Sequence, residues 1–257
     1  MALARMLSNS GREVTVWSAL PQEVDELSRT RRQKNLPGMV IPDEIKFTKE
    51  IAEACQDKDI ILFAVPSVFV RSTAKTAAAF IPDGQIIVDV AKGIEPDTLL
   101  TLTEVIADEL NKDGKHGNAH YVALSGPTHA EEVAKDLPTT IVSACEDQAV
   151  AEKVQDVFMN KNMRVYTNSD RLGVELCGAL KNVIALASGI CSGLGYGDNM
   201  RAALIIRGMA EIKRLGLKMG GKEDSFDGLA GMGDLIVTAT SKESRNNNAG
   251  YLIGKGK

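Results

Sequence analysis

Residues 173–215, GVELCGALKNVIALASGICSGLGYGDNMRAALIIRGMAEIKRL, decide how the second half of the chain is read. Leu176, Leu180, Val183, Ala187 and Ile190 recur at steps of three and four, which predicts a helix with an apolar stripe facing a core. Gly178, Lys181, Ala185, Ser188 and Ser192 form a different face, one cation among residues too small to fill the space around it. A lysine between apolar turns is partly desolvated, and desolvation lowers its pKa toward neutrality, where it exchanges protons readily. An ordinary helical lysine snorkels to solvent instead. The small-residue face makes Lys181 the candidate acid and base, with a ligand expected against it.

Upstream of this helix the pattern changes period. Apolar runs at 59–65, 85–89, 120–124 and 139–143, with a shorter one at 164–167, read as strands buried on both faces. Helical patterns at 21–32, 48–54, 67–80, 98–110 and 148–159 separate most of them, and this alternation predicts a mostly parallel sheet covered by helices on both sides. Strand patterns stop near 170. The chain therefore divides into a sheet domain, 1–170, and an all-helical domain, 171–257. At the amino end, Leu3, Met6 and Leu7 share a helical face, Ser10-Gly11 stops it, and Val14-Thr15-Val16-Trp17 is a short strand. In a doubly wound, Rossmann-like βαβ unit these are the second and third elements. No GxGxxG cluster occurs, so the expectation is such a fold with its first strand and glycine loop missing.

Composition bounds the function. A chain of 257 residues, 44% hydrophobic, supports one large or two modest cores. A net charge of -4 and a pI near 5.5 argue against a nucleic-acid partner. No uninterrupted apolar run approaches the roughly 18 residues of a membrane span, and the first residues lack a signal peptide's apolar centre, so a cytoplasmic location is expected. Cys55, Cys145, Cys177 and Cys191 are scattered in apolar segments and read as reduced buried thiols. The three histidines stand at no metal-ligand spacing, and no metal site is expected.

Four loops fall where an open α/β sheet, or the helices after it, would hold a ligand. Val65-Pro66-Ser67 starts a helix, with Ser67 the expected cap. Asp89-Val-Ala-Lys92-Gly93 places a cation and a flexible residue just past a strand. Leu124-Ser125-Gly126-Pro127-Thr128 leads into a helix near His129 and offers free amides and a hydroxyl. Residues 228–234, GLAGMGD, give a glycine turn ending in a carboxylate, followed by Ser244-Arg245-Asn246, a planar cationic fork beside an amide.

Taken in order, AKGIEP, SGPTHAEEVA, ELCGALKNVIALASGICSGLGYGDN, GLAGMGDLIVT and SRN resemble the bacterial type of NAD(P)-dependent glycerol-3-phosphate dehydrogenase across essentially the whole chain, truncated at both ends. The resemblance implies an oxidoreductase that interconverts sn-glycerol 3-phosphate and dihydroxyacetone phosphate and supplies glycerol phosphate for phospholipid synthesis. It implies Lys181 as the catalytic acid and base, and Lys92, Gly126, Thr128, Asp234, Ser244, Arg245 and Asn246 as substrate-binding residues. Ser18, Lys92, Ala130 and Arg245 correspond to cofactor-binding positions, with NAD or NADP as cofactor. The partner is then a small molecule, and a homodimer is compatible with the family. Where such enzymes often carry an arginine for the adenosine 2′-phosphate, this chain has Ser18-Ala19. Two other readings remain: a different two-domain Rossmann dehydrogenase, for a hydroxyacid or a nucleotide sugar, and a non-catalytic binding remnant. Arg245-Asn246 after Asp234 argues against the first.

Overall fold

Five strands, β3 (Ile60–Phe63), β4 (Ile86–Asp89), β5 (His120–Ser125), β6 (Thr139–Ala144) and β7 (Met163–Asn168), form one sheet in chain order in a computed structural model that describes residues 1–257. β3, β4 and β5 are parallel, β6 runs antiparallel to β5, and β7 is parallel to β6. Alternate residues of β4 feed opposite cores. Ile86 and Val88 join Val122, Leu124, Ile141 and Val165 on one face, while Ile87 joins Ile61 and Phe63 on the other. The first face is covered by α1 (Ala2–Asn9), α6 (Ala130–Val133) and α7 (Gln148–Phe158), the second by α4 (Val70–Ala77) and α5 (Leu102–Leu110). This is the doubly wound sheet that the alternation predicts.

A second, two-stranded parallel sheet pairs β1 (Thr15–Trp17) with β2 (Lys46–Thr48) and packs Val16 and Phe47 against the first core. α2 (Pro21–Thr30) and α3 (Ile51–Cys55) flank it. β2 was not legible, because Phe47 stands alone between two polar residues, and Thr48 belongs to this strand rather than to the helix expected at 48–54. β7 is not buried on both faces either. Arg164 and Tyr166 lie on its outer side, with the guanidinium over the ring. The helix expected from 98 begins only at Leu102, capped by Thr101 and Glu104, since Asp97 and Leu99 adopt positive φ in the preceding loop. Ser67 makes no cap bond, and its Cβ instead lies 3.0 Å from where a Cβ on Gly93 would stand.

After Asp170 the chain is helical: α8 (Arg171–Gly193), α9 (Asp198–Lys218), α10 (Glu223–Asp227), a π-helical turn (Leu229–Gly233), α11 (Asp234–Thr240) and α12 (Arg245–Gly254). α8 has the length and mean hydropathy, 1.5, of a membrane-crossing helix by composition. Its buried charges, Glu175 and Lys181, are bonded to other elements of the chain, which marks it as a core helix.

The stripe expected to face the core does so only in part: Leu176 is fully buried and Leu180 packs on the core of the helical half, but the small-residue face is buried as well. Val183, in the supposed core stripe, is 65% exposed, whereas Lys181, Ala185 and Ser188 on the small-residue face are buried. Part of that face is covered by protein rather than by a ligand. Ser188 Oγ donates to the carbonyl of Ala239 on α11, and a Cβ on Gly189 would fall 2.0 Å from the carbonyl oxygen of Asn247 on α12. Reciprocally, a Cβ on Gly250 would fall 2.0 Å from the carbonyl oxygen of Leu186. The small residues serve backbone-to-backbone approach of α8 and α12.

That contact is measurable by thermal unfolding. Gly189→Ala or Gly250→Ala forces the two helices apart and should cost about 1–3 kcal/mol, a fall in Tm of roughly 2–10 °C. Gly197→Ala, where a Cβ meets nothing within 4 Å, is the control. If all three variants melt together, the close packing does not hold the helical half.

Candidate active site

The carboxylate of Asp234 is 1% exposed and sits at the start of α11, directly after the π-helical turn. Its Oδ1 accepts from Lys181 Nζ at 2.6 Å and its Oδ2 from Lys92 Nζ at 2.6 Å. One lysine comes from the middle of α8, the other from the loop after β4, so the carboxylate joins the sheet to the helices. Two further acceptors complete the ammonium shells: Thr238 Oγ1 lies 2.5 Å from Lys181 Nζ, and the carbonyl of Gly126 lies 3.1 Å from Lys92 Nζ. The Thr238 hydroxyl itself donates to the carbonyl of Asp234, one helical turn back.

Electrostatics at Lys181 oppose one another. Burial and the neighbouring Lys92 charge lower its pKa, Asp234 raises it, and the balance holds it down at about 8. An amine poised there can take or give a proton near neutrality.

Glycines set the approach. A Cβ on Gly178 would stand 3.3 Å from Lys92 Cγ and 3.3 Å from Ser125 Oγ, so the bare helix surface is what lets the Lys92 stem cross α8. A Cβ on Gly126 would stand 3.1 Å from the Cα of Ile141, which keeps the turn after β5 tight against β6. The carbonyl of Gly126 also accepts from Thr128 Oγ1 at 3.2 Å, so the Thr128 hydroxyl folds back into the turn rather than capping α6. Ser125 Oγ and His129 Nε2 are buried there with no partner.

Ser244 caps α12, accepting from the amide of Asn247 at 3.2 Å. The amides of Arg245 and Asn246 are left without an acceptor in the chain, and the exposed Arg245 guanidinium forms no ion pair. Free amides at a helix start beside a guanidinium suit an anion. Asn246 Nδ2 donates to Asn182 Oδ1 at 2.9 Å, which ties this helix start to the residue after Lys181.

The structure thus brings Lys92, Gly126, Asp234 and Lys181 into direct contact, and links Asn246 to them through Asn182. Ser18 and Ala130 share no hydrogen bond with this cluster. Ala130 is exposed at the first turn of α6, and the Ser18 hydroxyl, just past β1, donates to Glu23 at 2.7 Å. Sequence reasoning passed over Thr238 and Asn182, and named Ser125 only as part of the loop after β5. Thr238 had a signal, since four residues after Asp234 is one turn along the same face, and Asn182 and Ser125 adjoin residues already singled out. A cavity of about 490 Å³ bordered by Lys58, Gln85, His120 and Lys153 lies at the amino ends of the strands, away from this site.

Two family models match the chain: the N-terminal part of the NAD-dependent glycerol-3-phosphate dehydrogenases over residues 1–151, and their C-terminal part over residues 170–257. Among relatives, the chain is 98% identical over its full length to "Glycerol-3-phosphate dehydrogenase [NAD(P)+] 2" of Lactobacillus delbrueckii subsp. bulgaricus, covering 76% of that protein. It is 50% identical to "Glycerol-3-phosphate dehydrogenase [NAD(P)+]" of Fusobacterium nucleatum, again over 76% of the relative's length. The crystal structure of a glycerol-3-phosphate dehydrogenase from Coxiella burnetii superposes with a TM-score of 0.93 at 35% identity, over 100% of this chain and 77% of that one. With both halves matched and the fold shared, the chain belongs to the NAD-dependent glycerol-3-phosphate dehydrogenase family.

Proposed function

We propose that this chain interconverts sn-glycerol 3-phosphate and dihydroxyacetone phosphate with NAD or NADP, as a cytoplasmic supplier of glycerol phosphate for phospholipids. The observation that carries the reading is the pair of lysines on the buried Asp234, set beside a helix start with an unpaired guanidinium and free amides. The residues fit a bound dinucleotide. Ser125 Oγ and His129 Nε2 are buried without partners at the carboxyl end of β5, where an open α/β sheet binds its ligand. Ser18 with Glu23, Lys92 and Ala130 lie just past strand ends or at the helix start after β5. A bound nicotinamide would supply the hydride acceptor or donor for C2 of the substrate.

In oxidation the free amine of Lys181 takes the proton of the C2 hydroxyl, and Asp234 and Thr238 hold that amine in place. In reduction the ammonium form returns the proton and stabilises charge growing on the carbonyl oxygen. Lys92 adds a second positive charge beside the reacting carbon. Arg245, Asn246 and the amides of α12 take the phosphate, which fixes the far end of the ligand so that C2 reaches Lys181. Gly126 and Thr128 shape the floor of the site, and Ser244 keeps the α12 start folded.

Because Lys181 sits at about 8, glycerol 3-phosphate oxidation should rise with pH through that value, and dihydroxyacetone phosphate reduction should decline above it. Lys181→Met should lower kcat by ~100-fold to 10,000-fold while leaving the cofactor Kd nearly unchanged. A rate within a few-fold of native removes Lys181 from the chemistry. Arg245→Ala should raise the KM for the phosphate ester by roughly 30-fold or more, far beyond its effect on unphosphorylated glycerol. Equal effects on both substrates would assign Arg245 to folding.

Cofactor preference follows from the end of β1. The Ser18 hydroxyl is engaged by Glu23 and by the amide of Leu20, so that strand end presents a carboxylate. A carboxylate accepts from a ribose hydroxyl and repels a 2′-phosphate. No arginine offsets it. Arg31 is bound to the carbonyls of Pro42 and Ile45 and paired with Asp43. Arg29 lies about 9 Å from Glu23 along the α2 axis and on another face of the helix, and Arg32 lies beyond its end. The kcat/KM for NAD should exceed that for NADP, and Glu23→Gln should narrow the gap. An NADP preference in the native enzyme would overturn this assignment.

A further inference from the structure

The two lysines that meet on Asp234 belong to different halves of the chain, and something must hold the Lys92 loop in register with α8. We propose that Glu175, buried near the start of α8, is the positioning residue that anchors this loop against Lys181. The inference rests on the proton-transfer role given to Lys181 above.

Glu175 is 7% exposed, and both its oxygens reach out of the helical half. Oε1 accepts from the amide of Thr103 at 2.9 Å, and Oε2 accepts from the hydroxyls of Thr101 at 3.0 Å and Thr103 at 2.5 Å. These donors form the amino terminus of α5, where a carboxylate also meets the positive end of the helix dipole. The segment from Lys92 to Thr103 is the connection between β4 and α5. It is stiffened by the paired backbone of Ile94 and Thr101 and by Arg71, whose guanidinium grips Glu95 at 2.7 and 2.6 Å. Displacing its Thr101–Thr103 end therefore displaces Lys92.

The α8 side is anchored independently. Asp170 caps α8 through the amide of Gly173 and accepts from the amide of Lys222 and the hydroxyl of Ser225, all within the helical half. Losing Glu175 should leave α8 in place and release the loop. The charged groups around Glu175 are Arg171, which also reaches Thr103 and Glu146, the capping Glu104, and the buried Asp89 at the end of β4. Burial pushes the carboxyls of both Asp89 and Glu175 up, and Asp89 is raised further by Glu175. Facing Lys181 are Lys92 and Asp234. When Lys92 drifts away, Lys181 loses a repelling cation and keeps Asp234 to itself, and both changes raise its pKa.

The test combines Glu175→Gln, which keeps the shape but turns a donor toward the threonine hydroxyls, with Thr103→Val and Thr103→Ser. Two readouts are followed against pH: kcat for glycerol 3-phosphate oxidation, and acetylation of Lys181 by limiting acetic anhydride, read by mass spectrometry. Glu175→Gln and Thr103→Val should move both midpoints from about 8 toward the ordinary lysine value of 10.5, with kcat lowered by ~10-fold to 100-fold. Thr103→Ser, which keeps both donors, should restore the native midpoint. If Glu175→Gln fails to fold, Thr103→Val reads the same displacement. Midpoints unchanged in the folded variants, even with a lower Tm, overturn the proposal and leave Glu175 a packing residue. Acetylation needs no turnover, so a native enzyme inactive on glycerol 3-phosphate would sink the functional reading while the labelling still decides the positioning one.

Discussion

One buried carboxylate with two ammonium partners governs the arrangement of this molecule. Asp234 is sealed from water, and a carboxylate so placed is tolerable only while paired and hydrogen-bonded; removing one partner of such a pair typically costs about 3–5 kcal/mol. Here the pairing is supplied from both sides of the chain, by Lys92 on the sheet and Lys181 on α8. The cluster carries one negative and two positive charges, so it keeps an excess positive charge. That excess suits an anionic substrate and an oxyanion formed during reduction. Burial drives the Lys181 amine down, and the positive charge of Lys92 beside it adds to that.

Much of this was legible in the sequence, because the elements that carry chemistry are loops with strong local signatures. Lys92 directly follows a buried strand, Gly126 sits at a strand-to-helix turn, and Asp234 ends a glycine turn; each spacing placed its residue near a strand end or a helix start, as found. Periodicity found α8 but not all of its buried surface, for a physical reason. It reports which face is apolar, and here the polar, small face is buried along with Leu176, because Gly189, Gly193, Gly250 and Gly254 let two helix backbones touch. Small residues at steps of four in both α8 and α12 were a visible sign of that contact. The Thr101, Thr103 and Glu175 network was not legible, since its members stand more than seventy residues apart and each looks ordinary alone.

Rigidity is distributed unevenly across the site. α12 and α8 are joined through glycine contacts and through Asn246 to Asn182, so the separation between the helix start at Arg245 and the amine of Lys181 is set by backbone packing. A fixed separation acts as a ruler, and it favours a ligand whose phosphate and reacting carbon are a few bonds apart. Lys92 is held differently, at the end of a loop whose far side hangs on buried hydrogen bonds. A helix-packed ruler resists deformation because backbone atoms would have to overlap, whereas a hydrogen-bonded loop moves when one acceptor is lost. On the roles proposed for Arg245, Lys181 and Glu175, substrate length is therefore read by the stiff half, and the proton affinity of Lys181 is set at the junction, where a single carboxylate governs how near the second cation stands.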